Sequence, residues 1–124
     1  MACCTITVLA ELPGLNEIIA LSKDHFGAYS KAKREYTRLV AWHSHAATRF
    51  EGRVKISCIW YCKDKRKDPD NIAAGLKFIL DGLVLSGVIK NDGWKQVGGI
   101  SHSFDIDKRN PRVEVVIEEM AESA

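Results

Sequence analysis

Residues 53–87 read RVKISCIWYCKDKRKDPDNIAAGLKFILDGLVLSG, and two hydrophobic periods follow one another within them. In the first ten, Val54, Ile56, Cys58, Trp60 and Cys62 occupy alternate positions, the spacing of a strand with one buried face. After a basic run and Asp68-Pro69 the period changes. With Asp70 at 0°, Ile72, Leu76, Ile79, Leu80 and Leu83 fall between about 180° and 280° at 100° per residue, the apolar side of a helix. The pattern predicts a helix from about Asn71 to Ser86, stopped at Gly87. Working outward, residues 5–10 (TITVLA) are β-branched and strand-like, and Pro13-Gly14 ends them. From Asn16 to Thr48 the pattern is helical, with an interruption near Gly27. Beyond Gly87, residues 90–94 (KNDGW) form a turn. Residues 95–106 and 112–119 then read as two strands around DKRNP, expected as a hairpin. The order β-α-β-α-β-β predicts a single α+β domain, two main helices packed on one small mixed sheet.

Bulk properties narrow the class. With 46% hydrophobic and 27% charged residues in 124, the chain is a soluble globular domain rather than a disordered one. No apolar run approaches the roughly 20 residues of a membrane span. The N-terminal MACCTITVLAEL lacks the basic region of a signal peptide, so a cytosolic protein without membrane association is expected. Cys3, Cys4, Cys58 and Cys62 are too few for a disulfide scaffold, and the CxxxC spacing lies in a strand. Reduced thiols, rather than a zinc site, follow.

The formal net charge of +2 hides an uneven distribution. Lys31, Lys33, Arg34 and Arg38 cluster in the first helical segment, and Lys63, Lys65, Arg66 and Lys67 after the central strand. Measured from Tyr29, Lys31, Arg34 and Arg38 lie between about 140° and 200°, opposite the apolar side made by Ala32, Tyr36, Leu39 and Val40. Such local clusters suit a polyanion better than long-range steering.

Chemistry concentrates in residues 63–94. Asp68 and Asp70 stand two apart around a proline that biases Asp68 toward extended geometry, so both carboxylates can reach one point. Two hard oxygen donors at a helix start suit Mg²⁺, with Mn²⁺ as a possible substitute. Asp70 alone would also be explained as an N-cap. On the helix, Lys77 falls near −20° and Asp81 near +20° from Asp70, one polar stripe. The pair has two readings: an ordinary i,i+4 salt bridge, or a lysine poised beside a phosphodiester.

Arg66-Lys-Asp68-Pro-Asp70-Asn71, Lys77 four residues before Asp81, and Asn91-Asp92-Gly-Trp94 together resemble the RusA family of Holliday junction resolvases. These are small, Mg²⁺-dependent, homodimeric endonucleases, many of them prophage-encoded. The similarity spans most of the chain as a single domain over 1–124. It implies that Asp68, Asp70 and Asp92 bind the metal and that Lys77 is the catalytic lysine, with Asn71 and Asp81 beside them. It also implies paired cuts in four-way DNA that leave 5′-phosphate and 3′-hydroxyl ends. Compared with the best-known members, three extra residues stand between Asn71 and Lys77, nearly one helical turn.

A straight helix over 71–86 is about 24 Å long, whereas the return from Gly87 to Asp92 spans at most about 17 Å. Asp92 therefore belongs either to a site reached by a shorter helix or to the site of a partner subunit across a two-fold axis, the reading preferred here. The arms of a junction call for backbone contacts, which suit Lys63, Lys65, Arg66, Lys67 and the Lys31/Arg34/Arg38 stripe. His25, His43, His45 and His102 have no metal-triad spacing, and no nucleophile elbow, P-loop or dinucleotide fingerprint is present, so no organic cofactor is expected. The alternative to a nuclease is a dimeric branched-DNA-binding module without catalysis.

Overall fold

The computed structural model describes residues 2–121. Chain order is β1 (Cys3–Val8), α1 (Leu15–Lys23), α2 (Ala28–Ser44), β2 (Val54–Cys62), α3 (Pro69–Ala73), α4 (Leu76–Leu85), β3 (Val97–Ile106) and β4 (Arg112–Glu119). This is the expected α+β order. The four strands form one mixed sheet in the order β1-β4-β2-β3.

β2 is the centre of the sheet. Val54, Ile56, Cys58 and Trp60 are buried on one face, as their alternation predicts. β4 runs antiparallel to β2, with Ile56 opposite Ile117 and Cys58 opposite Val115, and it also pairs antiparallel with β1. β3 pairs with the other side of β2 in parallel, Ile56 beside Ile100 and Trp60 beside Phe104. The register moves from Val54–Val97 to Lys55–Gly99, leaving Gly98 as a bulge.

The expected β3–β4 hairpin does not form. β4 lies between β1 and β2, so residues 107–111 cross the end of β2 instead of folding straight back. The Cys62 carbonyl accepts the Asp107 N–H at 2.8 Å. The Asp107 carboxylate then accepts the N–H groups of Arg109 (3.2 Å) and Asn110 (3.1 Å) and the Arg112 guanidinium (2.8 Å). Stepping over one strand needs only about 10 Å, which five residues reach as readily as a hairpin turn.

The helices cover one face of the sheet. Gly27, at φ +88°, separates α1 from α2 where the interruption was expected. α2 crosses α4 at Val40 and Gly82, with Tyr36 and Phe78 in tilted aromatic contact at 5.6 Å. A Cβ on Gly82 would sit 2.4 Å from Val40 Cγ1, so glycine is what lets the two helices approach. At the end of α4 the Val88 N–H bonds the Leu83 carbonyl and the Gly87 N–H that of Val84, both at 3.0 Å. With Gly87 at φ +80°, this is the glycine stop read from the sequence.

The predicted continuous helix over 71–86 is two helices. A tight turn at Ala74-Gly75 joins them, with i→i+3 bonds from the N–H groups of Gly75, Lys77 and Phe78. Gly75 fits against Trp60, whose ring would lie 3.0 Å from an added Cβ.

β3 is the open edge. Ile100, Phe104 and Ile106 remain exposed, although their neighbours Ile56 and Trp60 on β2 are buried, because the helices stop short of this strand. Within it, Trp60 Nε1–H donates to His102 Nδ1 at 2.9 Å, so the imidazole is the neutral Nε2–H tautomer. Burial pushes the His102 pKa below its usual 6.5.

Two outcomes follow from this packing. Gly82→Ala should destabilise the domain in urea titration: the clash with Val40 costs about 1–3 kcal/mol, more than the roughly 1 kcal/mol that alanine gains in a helix. His102 binds fewer protons folded than unfolded, so it removes stability as pH falls below about 6.5 toward its depressed folded pKa. His102→Gln keeps an acceptor for Trp60 and should flatten the decline in Tm over that range. An unchanged acid slope would contradict this account of His102.

Candidate functional site

The loop leaving β2 carries the first cationic cluster. Lys63 places its N–H on Glu11 Oε1 at 3.2 Å and its ammonium 4.0 Å from Glu11 Oε2. Lys67 bonds Glu17 of α1, and Arg66 lies 3.6 Å from Asp64. Burial raises the Glu17 pKa, but the hydrogen bonds from Lys67 and from the Gly14 N–H outweigh it and hold the carboxyl below its usual value. Among the described residues, Lys65 has no carboxylate partner within 4.0 Å. These exposed pairs are each worth under about 1 kcal/mol, so a phosphate competes for them easily.

Asp68 is the N-cap residue of α3, extended at φ −71° and ψ 155° as Pro69 requires. Its carbonyl accepts the Ile72 N–H at 3.1 Å, but its side chain makes no capping bond. Asp68 is therefore at the cap position that was assigned to Asp70, and its carboxylate remains uncommitted. It lines a cavity with Lys65, Lys67, Ile72, Phe104 and Ile106, at the end of β3. Asp70 is in the first helical turn, exposed, and its Oδ1 accepts the Asn71 N–H at 2.9 Å. The two aspartates share the head of α3, although not by the i,i+2 alternation of an extended strand, since Asp70 is already helical.

Asn71 turns away toward α1. Its Oδ1 accepts the Asn16 N–H at 3.0 Å, and Gly14 packs so tightly on it that a Cβ there would meet Oδ1 at 2.5 Å. That contact fixes the direction in which α3 leaves the loop.

Lys77 is the second residue of α4, just beyond the tight turn. Its ammonium is 3.4 Å from Asp81 Oδ1, and Lys33 of α2 lies 3.8 Å from Asp81 Oδ2. One half-buried carboxylate thus holds two lysines, while its Oδ2 has no hydrogen-bond partner among the described residues. The Lys77–Asp81 pair was legible in the spacing; the third member, Lys33, comes from a different helix and was not.

Asp92 is half-buried in the loop before β3. It lines a cavity with Gly93, Trp94, Val97 and Ile100, at the start of the strand. Asp68 lines one with Phe104 and Ile106 at the other end. From Val97 to Phe104 the strand runs about 23 Å. Asp92 and the Asp68/Asp70 pair of one chain are therefore on opposite ends of β3, and among the described residues no three His, Cys, Asp or Glu side chains are grouped to hold a metal. Two carboxylates at the head of α3 fit a hard divalent cation that keeps several waters, but they make only part of a three-carboxylate site.

The second cationic cluster is on α2, where Lys31, Arg34 and Arg38 are all exposed. Trp94 is 88% exposed in the chain. The four cysteines are free; burial pushes the Cys58 thiol up to about 12, so it is inert. No helix among the described residues is long and apolar enough to cross a membrane.

No curated protein matches the chain. The family model described as Endodeoxyribonuclease RusA matches residues 20–118, from α1 through nearly all of β4 and across both cationic clusters and all three aspartates. The chain belongs to the RusA family of endodeoxyribonucleases.

Proposed function

We propose that this protein is a divalent-metal-dependent endonuclease that resolves four-way DNA junctions as a homodimer, each metal site being shared between two subunits. The observation that carries the reading is the uncommitted Asp68 carboxylate beside Asp70, set at the end of a run of four cations. A surface that only bound phosphates would gain nothing from clustered carboxylates, whereas a bound cation reverses their sign.

Asp68 and Asp70 of one subunit and Asp92 of the other would hold Mg²⁺ or Mn²⁺. When bound, the metal supplies an acidified water and neutralises charge on the phosphodiester. Lys63, Lys65, Arg66 and Lys67 bind the flanking backbone and orient it, exchanging their weak pairs with Glu11, Glu17 and Asp64 for phosphate oxygens. Lys77 does the same: its i,i+4 pair with Asp81 is worth only a few tenths of a kcal/mol, so its ammonium is free to move onto a phosphate that gains charge during reaction.

The shape of β3 supports the shared site. It is a ten-residue edge strand without lysine or proline to guard it, and its Ile100, Phe104 and Ile106 face is uncovered. Antiparallel pairing of two β3 edges about a two-fold axis sets the Asp92 end of one strand beside the Asp68 end of the other. The same symmetry suits paired cuts in a four-armed substrate.

Cleavage of an end-labelled four-way junction beside linear duplex, in Mg²⁺ or EDTA, tests the activity. Paired, metal-dependent nicks in the junction alone are expected, with a loss of at least a hundredfold in Asp70→Asn, the scale of removing a group that stabilises developing charge. Tight junction binding without cutting in any divalent metal would leave a binding module instead. Mixing inactive Asp70→Asn with inactive Asp92→Asn tests the sharing: mixed dimers retain one complete site and should recover nicking. A mixture as inactive as its components would place Asp92 in its own chain's site.

A further inference from the structure

The outer side of α2 is organised beyond its three exposed cations. With Arg34 at 0°, Lys31, Arg38, Trp42 and His45 fall at about 60°, 40°, 80° and 20°, one face of the helix over about 21 Å. The one carboxylate in α2, Glu35, lies at its margin near 100°. At the far end Trp42 is 69% exposed and stacked on His45, ring centroids 5.3 Å apart. The stack is held in place from below, since His45 Nδ1 is bonded to the Trp42 carbonyl. A large indole held out in water beside arginines is not serving the core of this chain.

Beside this face runs a groove of about 580 Å³ between α2 and α4, with Lys33, Arg34, Thr37 and Arg38 on the α2 side and Asp81, Val84 and Leu85 on the α4 side. Thr37 Oγ1 and Asp81 Oδ2 are both shielded from solvent there, and neither has a hydrogen-bond partner among the described residues. The groove continues to Lys77 through Asp81, which holds both lysines. A track of cations thus runs from the proposed catalytic lysine along α2 to an exposed tryptophan.

We propose that this face of α2 and the adjoining groove are a second DNA-binding surface, in which Lys33, Arg34 and Arg38 grip the backbone of one duplex arm and Trp42 stacks on a base face left exposed where the arms diverge. Charge complementarity selects DNA as the occupant. Stacking on an indole is sequence-tolerant and needs only an exposed base face, so it favours branched over continuous duplex DNA. The proposal rests on the reading that the substrate is branched DNA.

Fluorescence anisotropy of a labelled four-way junction and of linear duplex with the same arm sequence, both in EDTA, tests it. Trp42→Ala should weaken junction binding about tenfold and duplex binding less than twofold, with Trp42→Phe recovering most of the loss. The double variant Arg34→Ala/Arg38→Ala should weaken binding of both DNAs and lower the salt slope by about 2. Far-UV circular dichroism should be unchanged in all three. Equal junction affinities for wild type and Trp42→Ala would overturn the surface, as would a shift in sedimentation velocity that makes Trp42 a contact between protein copies. Junction cutting by wild type with unchanged affinities in the variants would sink this surface alone. A wild type that binds the junction uncut, with the Trp42→Ala loss intact, would support the surface and sink only the nuclease reading.

Discussion

The parallel pairing of β3 on β2 governs where everything else in this domain can be. A parallel neighbour cannot be reached by a turn; the chain must return from the end of one strand to the level of the other's start. Residues 63–96 make that return, and their two ends therefore belong to opposite ends of the sheet. Asp68 follows β2 closely and Asp92 precedes β3 closely, so the topology itself holds them apart. Within one chain Asp92 stays at the other end of β3 from Asp68, and the proposed pairing of two chains about a two-fold axis is what would bring Asp92 to the Asp68/Asp70 pair.

The same crossover also has to be anchored at two points on the core. α4 has to lie flat enough for Val40 to seat on Gly82 and for Phe78, Ile79 and Leu83 to be fully buried. The head of α3 has to meet α1 through Asn71 and Asn16. Both demands are met because Ala74-Gly75 forms a tight turn that Trp60 packs against. The turn changes the direction of the chain between two anchored points, and Lys77 stays on the exposed side of α4.

Electrostatically, most of the cations proposed to meet DNA are already paired in the free chain, with Glu11, Glu17, Asp64 or Asp81. Pairing offsets the clustered cations locally and holds long side chains in place. Because exposed pairs contribute so little, the cost of exchanging them for phosphates is small, and binding should weaken steeply with salt.

Much of this was legible in the sequence. The alternation in β2, the break at Gly27 and the stop at Gly87 each depend on neighbours a few residues away, and each is where local patterning puts it. The family could be read from the aspartates and Lys77 because they lie within one short stretch. What was not legible depends on spacing between distant segments. Five residues from 107 to 111 fit a hairpin and a crossing equally well, so the strand order β1-β4-β2-β3 was hidden. The Lys33–Asp81 contact joins two helices and has no period to announce it. The turn at Gly75 is set by Trp60 from another strand, and helical periodicity alone runs straight through it.

In the proposed arrangement one chain holds part of a metal site and a second copy completes it. Crystals grown with Mn²⁺ and examined by anomalous scattering test this directly. A Mn²⁺ peak ligated by Asp68 and Asp70 of one protomer and by Asp92 of its two-fold mate is expected. A peak ligated by all three carboxylates of a single chain, or by none of them, would contradict it.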